Sequence, residues 1–140
     1  MLTAHEVRVV EDWHEALNAG DAERLVKLSH PDVEMGGPRG RAAGEVARGA
    51  GVLREWVARA NIRLEPRRVF HDGDTVVVEE AAEWRSSDTE EIIGSQAVAS
   101  SFVVRGGRVT SVVRHDDLTS ALTAANLDES FETKMDQGST

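Results

Sequence analysis

The stretch SQAVASSFVVRGGRVTSVVRHD, residues 95–116, decides the fold of this 140-residue chain. On both sides of Arg105-Gly106-Gly107, apolar and polar residues alternate with a period of two, which is typical of β-strands with one buried face. The paired glycines allow the tight turn between the two halves. The stretch therefore predicts a hairpin of two antiparallel strands, residues 95–105 and 108–116.

Two more extended segments precede this hairpin, at residues 62–71 and 75–85. Asp72-Gly73 between them is a typical hairpin signal, and the polar residues 86–91 predict a longer loop before the next strand. We therefore expect an antiparallel meander of four strands from residue 62 onward.

The residues before the meander show a helical period. Residues 3–19 predict a helix, because apolar residues recur there at the spacing of one helix face. That stripe consists of Val7, Val10, Trp13, with His14 beside it, and Leu17. A second helix ends by His30-Pro31, a short strand follows at residues 32–35, and a third helix begins near Gly51.

The order of elements, helices first and a meander last, favours an α+β fold over an α/β fold. A short helix, Leu118–Ala125, follows the last strand, and we expect one domain over residues 1–127 with a loose polar tail over residues 128–140. A curved sheet needs its concave face covered, and the N-terminal helices are the cover available. Such a wrap leaves an apolar cone between helices and sheet.

Composition excludes several classes of function. The net charge of −9 disfavours nucleic acid as a partner, and the absence of cysteine excludes disulfide frameworks and thiolate metal sites. No apolar run is long enough to span a membrane, and the first residues carry acids where a secretory signal would be apolar. We find no cofactor fingerprint and no metal-binding histidine spacing. We therefore expect a cytoplasmic protein without cofactor or metal.

Four stretches together carry a resemblance to a known family. They are Trp13 with Ala16-Leu17-Asn18-Ala19-Gly20-Asp21, Leu25 with Leu28-Ser29-His30-Pro31-Asp32-Val33-Glu34, Phe102-Val103-Val104-Arg105-Gly106-Gly107-Arg108-Val109, and Val113-Arg114-His115-Asp116-Asp117 with Ala121-Leu122 and Ala124-Ala125-Asn126-Leu127. In this order the chain resembles the nuclear transport factor 2-like (NTF2-like) superfamily, in its SnoaL-like branch. The resemblance implies a cone of N-terminal helices around a curved antiparallel sheet.

The family includes polyketide cyclases, ketosteroid isomerases, epoxide hydrolases, dehydratases and binders without catalysis, so the fold assigns no reaction. Members often end the last strand with Tyr-x-Asp, where this chain has His115-Asp116-Asp117. In isomerase-like members the catalytic base is an aspartate directly before a proline. This chain has Gly37 at that place, before Pro38. The second departure argues against the isomerase mechanism.

Three residues are candidates for acid–base chemistry. Strict alternation from Val109 places His115 and Asp117 on one face of the last strand, where Asp117 could orient His115 as a general base or acid. Asp117 also directly precedes a helix and could serve as its N-cap. Glu80 shares a face with apolar residues of its strand and is a candidate proton shuttle, while the alternative register turns Glu79 and Glu83 inward.

We expect an apolar, ring-containing small molecule as ligand. The predicted binding residues are Trp13, His14, Met35, Trp56, Trp84, Phe102 and Val113. Two functions stay open: binding without chemistry, or a cofactor-independent cyclase, isomerase or hydrolase that uses His115 and Asp117. Arg39 and Arg41 could bind a carboxylate or phosphate, or they could be solvated.

The outer sheet face commonly makes a homodimer in this family. In this chain the face is expected to carry Val77, Ala81, Val103 and Val112. The resemblance therefore implies a homodimer through this face.

Overall fold

The structure is a computed structural model that describes residues 4–36, 47–60, 62–85 and 91–133. Its helices are α1 (His5–Asn18), α2 (Ala22–Lys27), α3 (Ala50–Ala60) and α4 (Leu118–Ala125). Its strands are β1 (Ser29–Gly36), β2 (Ala47–Arg48), β3 (Ile62–Asp72), β4 (Thr75–Arg85), β5 (Ile92–Arg105), β6 (Arg108–His115) and β7 (Glu132–Thr133). The predicted α+β architecture is confirmed, including both hairpins of the meander.

The strands form one open, curved sheet in the order β2-β1-β6-β5-β4-β3-β7. Strands β3 to β6 pair antiparallel with their neighbours, as the meander predicts. Strand β1 pairs with the free edge of β6, and this pairing is parallel. The long connection that parallel strands require is formed here by α3 and the meander. The two-residue strands β2 and β7 were not predicted. None of the described helices is long and apolar enough to cross a membrane.

The sheet has two differently covered faces. The inner face packs against α1, where the apolar stripe of the helix meets Val76, Val78 and Phe102 in the main core. The outer face is partly covered by α4, which buries Val77 and Ala99 in a second, smaller core. Alternation along β4 and β5 thus sends successive side chains into different cores.

The end of α1 is fixed to β3 by one side chain. The Asn18 side-chain amide donates to the Leu64 carbonyl at 2.9 Å, and the Leu64 amide donates to Asn18 Oδ1 at 2.8 Å. The Asn18 side chain therefore satisfies the backbone groups of Leu64 that a second neighbouring strand would otherwise bind. This contact positions the C-terminal turn of α1 over the sheet.

A bulge in β6 reverses the side of the sheet to which the following side chains point. Val104 pairs with Val109, but Val103 pairs with Ser111, so Thr110 is the extra residue. Val109 is buried in the main core, yet from Ser111 onward it is the even-numbered residues that face inward. The prediction that unbroken alternation carries from Val109 to His115 is wrong, because a bulge shifts the alternation by one residue.

Part of the expected loose tail is ordered against the sheet. Residues 132–133 pair with β3, and a 3-10 turn, Glu129–Phe131, leads into them. The Arg68 guanidinium holds this segment through ion pairs with Glu129 and Glu132 at 3.2 and 2.9 Å. Residues 134–140 lie outside the described residues.

Candidate functional site

Helix α1 positions His14 on the inner face of the sheet. His14 stands one residue after Trp13 on the apolar stripe of α1, so the helix period turns its ring toward the sheet together with Val10 and Leu17. Only 1% of its surface is exposed. A titratable ring is thereby placed inside the main core.

Strand β4 delivers a carboxylate to the same place. Glu80 is fully buried and lies on the inner face between Val78 and Ala82, which belong to the main core. Glu79 pairs with Ala99, whose side chain lies in the outer core. The structure therefore decides between the two registers left open by the sequence: Glu80 faces inward, and Glu79 faces outward.

His14, Glu80 and Ser100 form one hydrogen-bonded chain, named here the buried triad. His14 Nε2 lies 2.5 Å from Glu80 Oε2, and the Ser100 hydroxyl donates to Glu80 Oε1 at 2.7 Å. His14 Nδ1 lies 2.8 Å from the Val10 carbonyl oxygen. Both carboxylate oxygens and both ring nitrogens therefore have partners.

This geometry fixes the position of one proton and leaves a second one shared. A carbonyl oxygen only accepts, so His14 Nδ1 carries a proton and donates it to Val10. The proton between Nε2 and Oε2 belongs to either partner, which gives a neutral pair or an ion pair. In both cases the net charge of His14 and Glu80 together is zero.

Aromatic rings surround the triad. The ring centroids of Trp13 and Phe102 lie 5.2 Å apart, and those of His14 and Phe102 lie 5.4 Å apart. The Trp13 indole donates to the Ser29 hydroxyl at 3.3 Å. An apolar, low-dielectric environment strengthens the hydrogen bonds within the triad and makes an unpaired member costly.

The sequence of residues 10–112 matches the family model described as SnoaL-like domain. The chain belongs to the SnoaL-like domain family. No curated protein matches it.

Solved structures similar to this SnoaL-like chain share its fold. TerC, co-crystallised with polyporic acid, is 24% identical, with 86% of this chain and 97% of TerC covered and a TM-score of 0.68. An NTF2-like protein from Burkholderia xenovorans is 27% identical, with 89% and 98% covered and a TM-score of 0.64. A ketosteroid isomerase-like protein from Catenulispora acidiphila, in complex with trimethylamine, is 21% identical, with 86% and 93% covered and a TM-score of 0.64.

His115 and Asp117 do not join the triad of this SnoaL-like chain. His115 pairs with Ala99 on the outer face, and its Nε2 lies 3.3 Å from the Ser101 hydroxyl. Partial burial lowers the pKa of His115. Asp117 is the N-cap of α4 and accepts from the Ser120 amide at 2.8 Å, which lowers the pKa of Asp117. The expected placement of His115 in the inner cone is wrong, since the bulge turns it outward.

The predicted binding residues divide between the two faces. Trp13 and Phe102 are buried in the main core, and Met35 and Trp84 pack against it. Val113 pairs with Ser101 and therefore faces outward, against the prediction, for the same reason as His115. The Trp56 side chain, Gly37, Arg39 and Arg41 lie outside the described residues.

Sequence reasoning missed two polar residues of the inner face. Ser100 stands two positions before Phe102 in β5, so the period of two already places both on one face. Arg114 pairs with Ser100 across β5 and β6, and it reaches the inner face only because of the bulge. The first residue was predictable from alternation, and the second was not.

The outer face carries an open cleft of about 490 Å³ between β1, β2, β5 and β6. Its lining residues are His30, Asp32, Glu34, Arg48, Val103, Arg105, Thr110 and Ser111. Both arginines have carboxylate partners: Arg48 forms an ion pair with Glu34 at 3.3 Å, and Arg105 forms one with Asp74 at 3.3 Å. Among the described residues no group of three or more candidate ligands is placed to hold a metal ion.

The triad leads to a prediction about stability. Replacing His14 alone or Glu80 alone by leucine leaves a buried polar partner unsatisfied, so each single variant should lose about 3–5 kcal/mol of unfolding free energy. The double variant His14→Leu/Glu80→Leu should lose much less than the sum of the two, because both members of the pair are then apolar. Urea denaturation of all four proteins measures this coupling. Strictly additive losses would contradict a direct contact between the two side chains.

Proposed function

We propose that this SnoaL-like chain binds a small, mostly apolar, ring-containing molecule on the inner face of the sheet, beside α1. The buried triad would supply the polar contacts that recognise it. The observation that carries the proposal is a hydrogen-bonded His14–Glu80–Ser100 chain within an aromatic and aliphatic interior.

The energetics of burial support a functional role for the triad. Desolvating a histidine and a carboxylate costs several kcal/mol, and apolar residues of similar size often give equal or greater stability at such positions, on the order of 1–4 kcal/mol. Departures from the apolar pattern of a core are expected at functional sites. Net stability alone therefore does not account for His14 and Glu80, and ligand recognition by the triad would give them a further role.

The exposure of the inner face indicates a direction of access. Around Glu80 the face is closed, with Ala82 at 0% and Val98 at 4% exposed surface. Further toward the β4–β5 connection, Trp84 is half-buried and Gln96 is exposed. A ligand approaching from this end would meet Trp84 first and the triad last.

Two similar structures hold small organic molecules. TerC was co-crystallised with polyporic acid, and the Catenulispora acidiphila protein is in complex with trimethylamine. Small-molecule sites in general are concave and apolar with a few placed polar groups, which is the character of the inner face here. These likenesses favour a small molecule over a macromolecule as ligand.

A second candidate function is cofactor-independent acid–base catalysis, and the shared proton of the triad favours it. His14 Nε2 and Glu80 Oε2 lie close enough for a proton to pass between them. One partner could therefore take a proton from a carbon next to a carbonyl group, and the other could return it at a neighbouring atom. In this function the triad replaces the His115–Asp117 pair expected from the sequence.

Binding can be tested without assuming a ligand. We expect native mass spectrometry of the freshly purified protein to show a bound organic molecule, and its occupancy to fall at least about 10-fold in His14→Leu/Glu80→Leu, because its polar contacts are gone. Ser95→Ala, a change at an exposed position of β5, is the control and should keep the wild-type occupancy. No bound molecule in any of the three proteins would rule out the proposed binding, and equal occupancy in all three would rule out recognition by the triad.

Catalysis can be tested with 2-tetralone, an apolar two-ring ketone with exchangeable protons next to its carbonyl. If the triad is an acid–base catalyst, the wild type should accelerate deuterium exchange at that carbon in D₂O. Glu80→Gln should reduce the rate by about 100-fold or more, as expected for a lost general base. Proton NMR follows the exchange, again with Ser95→Ala as control. Exchange that is as fast in Glu80→Gln as in the wild type would exclude Glu80 as the base.

The homodimer through the outer sheet face also remains a proposal. Its expected surface is smaller than the sequence indicated: Val77 is buried under α4, and Val112 packs against the main core. Ala81 stays on the outer face as predicted, and Val103 and the half-buried Val113 lie there beside the cleft.

Light scattering tests this assembly. We expect twice the chain mass of 15.2 kDa at micromolar concentration, and a monomer for Val103→Arg, because a charge would be buried without a partner. Ile93→Arg places the same charge at an exposed site near the start of β5 and should leave the dimer intact. A wild-type monomer would contradict the proposal.

A further inference from the structure

Arg114 stands on the inner face of β6, beside the buried triad. It pairs directly with Ser100, whose hydroxyl donates to Glu80, and directly opposed residues of a sheet point to the same face. Two other residues of β6 agree with this placement. Val112 packs against the main core, and His115 bonds Ser101 on the outer face.

The guanidinium of Arg114 has no partner within the described parts of the chain. The side chain is half-buried, yet no described carboxylate, hydroxyl or carbonyl forms an ion pair or hydrogen bond with it. Asp and Glu outnumber Lys and Arg by 25 to 16 in this protein, so acidic partners are plentiful. Arg24, Arg48, Arg54, Arg68 and Arg105 all have such partners. Among the described side chains, the other arginines without one are Arg63, Arg67 and Arg108, and these are exposed, unlike Arg114.

The triad does not compensate this charge. His14 and Glu80 together are neutral whichever of them holds the shared proton, and both oxygens of Glu80 already have hydrogen-bond partners. Among the described residues, Arg114 therefore contributes one positive charge without an acidic partner beside the triad. A guanidinium that is partly removed from water is stabilised by an anion, and its planar donors match a carboxylate in a two-point contact.

We infer that Arg114 binds the acidic group of the ligand, so that the ligand of this site is an organic anion: a ring compound with a carboxylate or an ionised enol or phenol. The inference rests on the proposed binding function and narrows its ligand class. Adjacent strands lie about 5 Å apart, and an arginine side chain extends further than that. One small molecule can therefore contact Arg114 with its acidic group while its ring lies on the inner face next to the triad.

The experiment compares two probes of nearly equal shape, 2-naphthoate and the neutral 2-naphthamide, by isothermal titration calorimetry on the full chain. The wild type should bind 2-naphthoate at least about 10-fold more tightly than 2-naphthamide. Arg114→Gln should abolish this preference while it leaves the 2-naphthamide affinity within about 2-fold, and Arg114→Lys should retain part of it. Arg108→Gln removes an exposed positive charge from the same strand and is the matched control.

The outcomes separate this inference from the function on which it rests. Unchanged 2-naphthamide affinity in Arg114→Gln also shows that the variant keeps a folded site. If the wild type binds both probes equally, or if Arg114→Gln and Arg108→Gln lose the same preference, Arg114 does not select anions, although the chain still binds ring compounds. If the wild type binds neither probe, while native mass spectrometry detects a bound molecule, the anionic ligand class is overturned and binding itself stands.

Discussion

The hydrogen bond between His14 and Glu80 is the directional contact on which the arrangement of α1 over the sheet depends. Apolar contacts between the helix and the inner face are non-directional; they set which side of the helix faces the sheet, but they specify its exact position less sharply than hydrogen bonds do. The 2.5 Å contact to Glu80 and the paired bonds of Asn18 to Leu64 hold the helix at two points along its length. Two such points fix both its rotation and its position along the sheet.

The strands of the meander were predictable because two local signals agree in them. Alternation of apolar residues marks each strand, and Asp72-Gly73 and Arg105-Gly106-Gly107 mark the turns. The bulge at Thr110 has no glycine or proline directly beside it, so strict alternation was carried past it. An error of one residue reverses every side chain that follows, which is why His115 and Arg114 exchanged faces relative to the prediction.

The triad was predictable only in its parts. The helix period placed His14 near the inner face, and strand alternation allowed Glu80 to point inward, but the two are separated by 66 positions. Whether they meet depends on where α1 crosses the sheet. That crossing is set by packing and by Asn18 bonding to a strand 46 positions away, and no periodicity within one element encodes such contacts.

In the proposed site, a neutral His14–Glu80 pair beside Arg114 would have different consequences for different ligands. With an organic anion, Arg114 interacts with a charge that is present throughout, so its contribution appears as affinity alone. With a neutral ketone, Arg114 finds little charge to stabilise until a proton leaves the carbon and the oxygen becomes negative. The contribution then appears in the transition state, and Glu80 or His14 can hold the proton that has left. Under the proposed function, the same three side chains would favour binding of acids and proton transfer on ketones, and the charge of the ligand would determine which of the two results.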